Sequence, residues 1–259
     1  MMNRILKINK LRNTLPIVSH QIPALVVSKG IVENDIIGEF PIHRVYCVGR
    51  NYREHALEMG HDPNVESPLF FQKPSDAITT KMSISYPPMT DNLHYEGELV
   101  VAISKGGHKI SLDDAMTHVC GYALACDLTR RDLQAEAKRK GRPWEAAKAF
   151  DDSAPCSPLV LFSENQSLKN NYRLITKVNG SIKQQATLGE MIWSIPQIIF
   201  HLSQYYQLQP GDLILTGTPA GVSSLEIGDN VEISLCDEDE SDHLHHIIPS
   251  CNFNLLTPT

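Results

Sequence analysis

Residues 93–104 read LHYEGELVVAIS. The apolar run Leu99–Ile103 suits a buried strand, and the polar residues before it carry the chemistry. Along a strand, alternate side chains share a face, so Glu96 and Glu98 point the same way, with His94 beside them. Two carboxylates on one face repel each other unless a cation or water relieves them. Hard divalent cations prefer oxygen ligands, so this strand supplies two-thirds of a magnesium-type site. A solvated strand face is the competing reading.

Outward from this stretch the chain is strand-rich. HRVYCVGRN, residues 43–51, is a short apolar strand, and NYREHALEMG a short helix opened by Asn51 and closed by Gly60. SPLFFQKPSDAI is an apolar run stopped by Pro74, and GYALACDLT is a further strand. RRDLQAEAKRKG is helical in composition and stops at Gly141. RLITKVNGSIKQQATL is a hairpin turning at Asn179-Gly180. SIPQIIFHLSQYYQL is an amphipathic helix with Pro196 in its first turn. PGDLILTGTPAGV gives turn, strand and loop, and GDNVEISL another strand. Strands with interspersed short helices, without regular βαβ alternation, predict a mixed α+β, β-rich fold and exclude a Rossmann sheet. Residues 1–42 read as a small N-terminal extension packed on a main body of residues 43–259. The tail SDHLHHIIPSCNFNLLTPT has no clear place, and its histidines are read as chain-end residues, not metal ligands.

The 259 residues carry a formal net charge of −7, with 42% hydrophobic and 20% charged residues. That balance argues against nucleic acid and anionic membrane as partners. It also leaves an anionic substrate to be captured by a local cation or metal. No stretch has the apolar length of a transmembrane helix, and the N-terminus lacks a cleavable signal pattern. The six cysteines show no C-x2-C spacing and sit in apolar company, so reduced thiols and a cytoplasmic setting are expected.

Other residues could join the two glutamates. Asp127 closes the run YALACD, where helix N-capping competes with a ligand role. Arg131 and Gln134 share a helix face, a fork for a carboxylate beside a donor for a carbonyl. His55 and Glu58 are also three apart, and a carboxylate beside an imidazole orients it and raises its basicity. Lys148 lies in the apolar stretch WEAAKAFDDSAP, where a desolvated ammonium could steady an oxyanion or merely reach solvent. Thr218, in LTGTPAGV, lies in a loop with amides suited to an anion.

Taken together, VYCVGRNYREHALEMG, PLFFQKPSDAI, LHYEGELVVAI, GYALACDLTRRDLQ, GRPWEAAKAFDDSAP, VNGSIKQQ and GDLILTGTPAGV resemble the fumarylacetoacetate hydrolase family, in family order over most of residues 43–235. The wording is closest to the bacterial fumarylpyruvate hydrolase and acylpyruvase-type members. The resemblance implies a β-sandwich or roll with short helices, and a homodimer. It implies one Mg2+ or Mn2+ held by Glu96, Glu98 and Asp127. It makes His55 and Glu58 the water-activating pair, on a helix that acts as a lid. It sets Lys148 beside the metal, and Arg131, Gln134 and Thr218 around a small dioxo-acid substrate. The implied reaction is hydrolysis of the C–C bond of a 2,4-dioxo acid, fumarylpyruvate to fumarate and pyruvate, or another acylpyruvate. Oxaloacetate decarboxylation, or isomerisation or tautomerisation of a 2-hydroxy-dienoate, is the alternative on the same site. A non-catalytic binding module and a zinc site using His94 are weaker readings.

Overall fold

Among the described residues the strands form two main sheets and two two-stranded pairs. A computed structural model describes residues 14–19, 36–60, 62, 67–162, 168–238 and 244–258. The larger sheet has eight strands, in the order Ile36–Pro41, Thr14–Ser19, Leu159–Leu161, Val119–Cys126, Gly97–Ile103, Leu213–Leu215, Val45–Gly49 and Leu69–Lys73. The smaller runs Ser181–Thr187, Arg173–Val178, Asn230–Glu238, Cys251–Leu256 and Ser83–Ser85, with Leu244–His246 added beside Asn230–Glu238. The expected β-rich α+β fold is what forms. The longest helix among the described residues, Ile195–Tyr205, has 11 residues, and no described helix is long and apolar enough to cross a membrane.

The central strand Gly97–Ile103 is buried at every position. Its two faces feed two cores. Leu99, Val101 and Ile103 join a large cluster with Leu174, Ile233, Leu235 and Phe253 of the smaller sheet. Val100 and Ala102 face the other way, with Cys47, Ala123, Ala125 and Leu215. Residues of one parity on adjacent strands meet on one face, so Glu98, paired with Ala125, stands on the second, smaller core. Lys73, paired with Val45, lies on that side too.

The strand expected over residues 93–104 is interrupted. Leu93–His94 pairs with Thr129–Arg130, and the main strand restarts at Gly97. Tyr95 and Glu96 lie in the gap, where the Asp127 amide donates to the Glu96 carbonyl at 2.7 Å. The hairpin turns at Asn179-Gly180 as expected, with φ of 51° and 76°, a left-handed pair that Asn and Gly tolerate. The helix Arg131–Lys140 ends at Gly141, also left-handed.

Two local expectations are corrected. Asn51 does not cap the helix Arg53–Glu58, whose N-cap is Tyr52. Its side chain donates to the carbonyls of Trp193 at 3.0 Å and Thr216 at 2.8 Å, and accepts from the Trp193 amide at 2.7 Å. Asp127 caps no helix either, since the next helix starts at Arg131 behind an Arg130 N-cap. Strands Thr14–Ser19 and Ile36–Pro41 hydrogen-bond into the larger sheet, Ile17 opposite Leu159. The histidine-rich tail is partly outside the described residues; Leu244–His246 and Cys251–Leu256 within it are strands.

Candidate metal centre and active site

Glu96, Glu98 and Asp127 come from the strand gap, the restarted strand and the end of its neighbour. Each offers one carboxylate oxygen, and these oxygens lie within 4.8 Å of one another. All three residues are buried, Asp127 at 0% exposure. Three buried carboxylates this close, all oxygen donors and none a histidine, suit a hard divalent cation. His94 stands apart: its Nε2 pairs with Asn92 Oδ1 at 2.9 Å. Burial, then the Arg131 guanidinium, push the His94 imidazole down to about 4, so it is neutral at pH 7. His94 is not among the clustered ligand atoms, so the zinc reading based on it has no support among the described residues.

A buried and a part-buried cation balance the carboxylates. Lys148 Nζ lies 2.7 Å from both Glu96 Oε2 and Asp127 Oδ2. Arg131 Nη2 lies 2.5 Å from Glu96 Oε1, and its Nη1 donates to Gln134 Oε1 at 2.7 Å. Burial alone would raise the Glu96 carboxyl, but Lys148 and Arg131 outweigh it and hold the group well below the usual range. Glu98 has the reverse balance: burial, then the charges of Asp127 and Glu96, push it up, although the Gly217 amide donates to its Oε2 at 2.7 Å. Burial opposes the charge on Lys148, yet Asp127 and Glu96 raise its pKa above the ordinary value.

A cavity of about 30 Å³ sits at the centre, room for one ion or water-sized group. Its lining includes all three carboxylates together with His55, Arg131, Gln134, Lys148 and Thr218. His55 is buried, and its Nδ1 lies 3.1 Å from Glu58 Oε2, which leaves Nε2 as the nitrogen available for proton transfer. Eight of the nine site residues expected from sequence thus line one cavity, and the ninth, Glu58, contacts His55. The Thr218 hydroxyl is already engaged. It donates to the Gly97 carbonyl at 3.0 Å and accepts from Gln184 Nε2 at 2.8 Å, which leaves it only acceptor capacity.

Sequence reading missed Lys73, Gln184 and the true task of Asn51. Gln184 is buried, and its Oε1 accepts from the Gly97 amide at 3.0 Å between the two glutamates. The alternation of QQATL carried a signal for it, since Gln184 shares parity with the buried Ala186.

The chain matches the fumarylacetoacetate (FAA) hydrolase C-terminal family over residues 44–247. It belongs to that family. It is 42% identical to the fumarylpyruvate hydrolase of Ralstonia sp over 171 residues, 66% of this chain and 88% of that protein. It is 43% identical to the mitochondrial oxaloacetate tautomerase of Mus musculus over 192 residues, 74% of this chain and 86% of that one. Among solved structures it resembles fumarylpyruvate hydrolase from Pseudomonas aeruginosa, determined in complex with Mn2+ and pyruvate. That likeness has a TM-score of 0.79 at 38% identity, covering 95% of this chain and 98% of the other.

Proposed function

We propose that this member of the family is a metal-dependent hydrolase that cleaves the C–C bond of a small 2,4-dioxo acid, converting fumarylpyruvate to fumarate and pyruvate or acting on another acylpyruvate. The observation that carries this reading is that His55, backed by Glu58, and a three-carboxylate cluster face one cavity. Decarboxylation or tautomerisation needs no attacking water and would use the pair at most as a proton shuttle, whereas hydrolysis needs a base to make a water reactive. The solved relative with Mn2+ and pyruvate supports the same assignment of metal and product type.

In this reading Glu96, Glu98 and Asp127 hold one Mg2+ or Mn2+. When bound, the cation polarises the oxygens of an α-keto acid and takes up the charge left by bond cleavage. His55, oriented through Nδ1 by Glu58, takes a proton from water at Nε2. Lys148 places an ammonium beside the developing oxyanion. Arg131 uses one N–H of Nη1 on Gln134 and one of Nη2 on Glu96; its buried Nε has no partner among the described residues, so donors remain for substrate. Gln134 and Thr218 add polar walls that fix orientation. A homodimer, a cytoplasmic setting, and a catalytic unit from residue 43 onward with 1–42 as its extension complete the proposal.

A second reading, oxaloacetate tautomerase or decarboxylase or 2-hydroxy-dienoate isomerase, is favoured by the likeness to the mouse tautomerase. Turnover of fumarylpyruvate, acetylpyruvate and oxaloacetate, side by side with Mg2+ and with Mn2+, separates the two. The hydrolase reading expects pyruvate release from an acylpyruvate. Activity confined to oxaloacetate would select the second reading, and negligible rates on all three would reject the hydrolase and both oxaloacetate activities.

A further inference from the structure

Lys73 ends the edge strand Leu69–Lys73, immediately before Pro74. An edge-strand lysine ordinarily points to water. This one does not: its side chain is 0% exposed. Its Nζ lies 2.8 Å from Asp127 Oδ1, the carboxylate oxygen opposite the one held by Lys148. Its three N–H groups go to the Leu128 carbonyl at 3.2 Å, to Ser153 Oγ at 3.1 Å and to the main-chain carbonyl of Lys148, so the contact with Asp127 is an ion pair. Ser153 closes the loop, because its hydroxyl donates to that same Lys148 carbonyl at 3.2 Å and its own carbonyl accepts from the Leu128 amide at 3.0 Å. Three segments distant in sequence therefore meet at one ammonium: the turn after Val119–Cys126, the end of helix Glu145–Lys148, and the edge strand.

We propose that Lys73 is a positioning residue for the cation site, locking the Asp127 carboxylate and the backbone that carries Lys148 into one frame. The proposal rests on the metal-site reading above. Burying an ammonium is expensive unless it is paired and hydrogen-bonded, so the location of Lys73 calls for a task that a leucine could not perform. Holding one oxygen of Asp127 orients the other toward Glu96. Groups in this outer position typically change metal affinity by about 10–100-fold when removed.

The sign of the effect separates positioning from bare charge. Deleting a cation next to a divalent ion reduces repulsion and would by itself tighten binding. Loss of orientation weakens it. The test is calorimetric titration of Mn2+, without substrate, into metal-stripped wild type, Lys73→Met and Ser153→Ala. The fold of each variant is checked by near-ultraviolet circular dichroism at the assay temperature. Lys73→Met is expected to bind Mn2+ at least about 10-fold more weakly, and Ser153→Ala, which keeps the charge and loses one anchor, about threefold more weakly. Global destabilisation leaves the affinity of folded protein unchanged, so a merely structural lysine would give wild-type binding. Equal or tighter binding by folded Lys73→Met overturns the proposal. If that variant does not fold, unchanged affinity in Ser153→Ala overturns it. A wild type that binds no Mn2+ overturns the cation site itself, whereas a binding wild type beside an unaffected variant overturns only the role of Lys73.

Discussion

Glu58 is gripped from two directions. Its Oε2 lies 3.1 Å from His55 Nδ1, and its two oxygens accept from the Gly221 amide at 3.2 and 3.3 Å. The carboxylate therefore fixes the imidazole against the loop that follows strand Leu213–Leu215. Glu58→Gln keeps the shape and removes the charge. It is expected to lower turnover by about 10²–10⁴-fold while Mn2+ affinity stays within about threefold of wild type. Steady-state kinetics with parallel metal titration checks this, and unimpaired turnover would remove the general-base assignment.

Lys148 is the counter-charge shared by Glu96 and Asp127. Lys148→Met leaves both carboxylates short of a buried partner. The metal-free variant is expected to lose about 3–5 kcal/mol of stability. Mn2+ should restore part of that by binding only the folded form. Urea unfolding with and without Mn2+ measures both. A loss below about 1 kcal/mol would mean that Arg131 and Lys73 suffice to neutralise the cluster.

Gly97 separates the two glutamates because nothing larger fits. A Cβ there would lie 2.0 Å from Thr176 Oγ1 on the facing sheet. Gly97→Ala is expected to cost about 1–3 kcal/mol and to weaken Mn2+ binding, since both flanking carboxylates would shift. Thr176→Ala removes the clashing oxygen and should recover much of the loss in the double variant. Chemical denaturation of the single and double variants decides. Additive losses would locate the strain elsewhere.

Lys138 lies at the edge of the same cavity, with its ammonium 5.2 Å from the Trp144 ring centroid. Burial, then the charges of Arg131 and Arg50, push its pKa down to about 8. A base depressed in the folded state contributes stability above its ordinary pKa, and that contribution is lost as pH falls through about 8. The side chain is nonetheless exposed, so solvent screens most of this effect and below that pH the protonated lysine is only a small burden on the fold. Lys138→Gln should therefore raise the urea midpoint at pH 7, with the difference closing as pH rises past about 10. Competitive acetylation should place the amine's titration near 8. A midpoint near 10.4 would reject the crowding of cations described here.

The cluster was legible in sequence where chemistry and periodicity coincide. Glu96 and Glu98 announce themselves by period-two spacing, and Arg131 with Gln134 by helical spacing. Asp127 was ambiguous because an aspartate ahead of a helix is ordinarily a cap; only the pairing of Gly97 with Cys126 brings it beside the glutamates. Lys73 escaped because a lysine at a strand end looks like solvent-facing punctuation. Its parity with Phe71 and Leu69 pointed inward, but partners at Asp127, Lys148 and Ser153 are tertiary facts. Tyr95–Glu96 read as strand because local composition cannot reveal that the neighbouring strand has ended. His94 was placed with the carboxylates by that same assumption of unbroken alternation.

The grip of Asn51 on Trp193 and Thr216 sets the freedom of the short helix above it. Its foot is thereby stapled to two other segments, and any tilt would pivot there. His55 sits roughly one turn, about 6 Å, from that fulcrum. A tilt of about 10° would carry its ring about 1 Å, enough to spoil a reactive alignment. Were the helix to swing and open the cavity, the same movement would turn the base away from its water, so entry of substrate and the aim of His55 would be coupled.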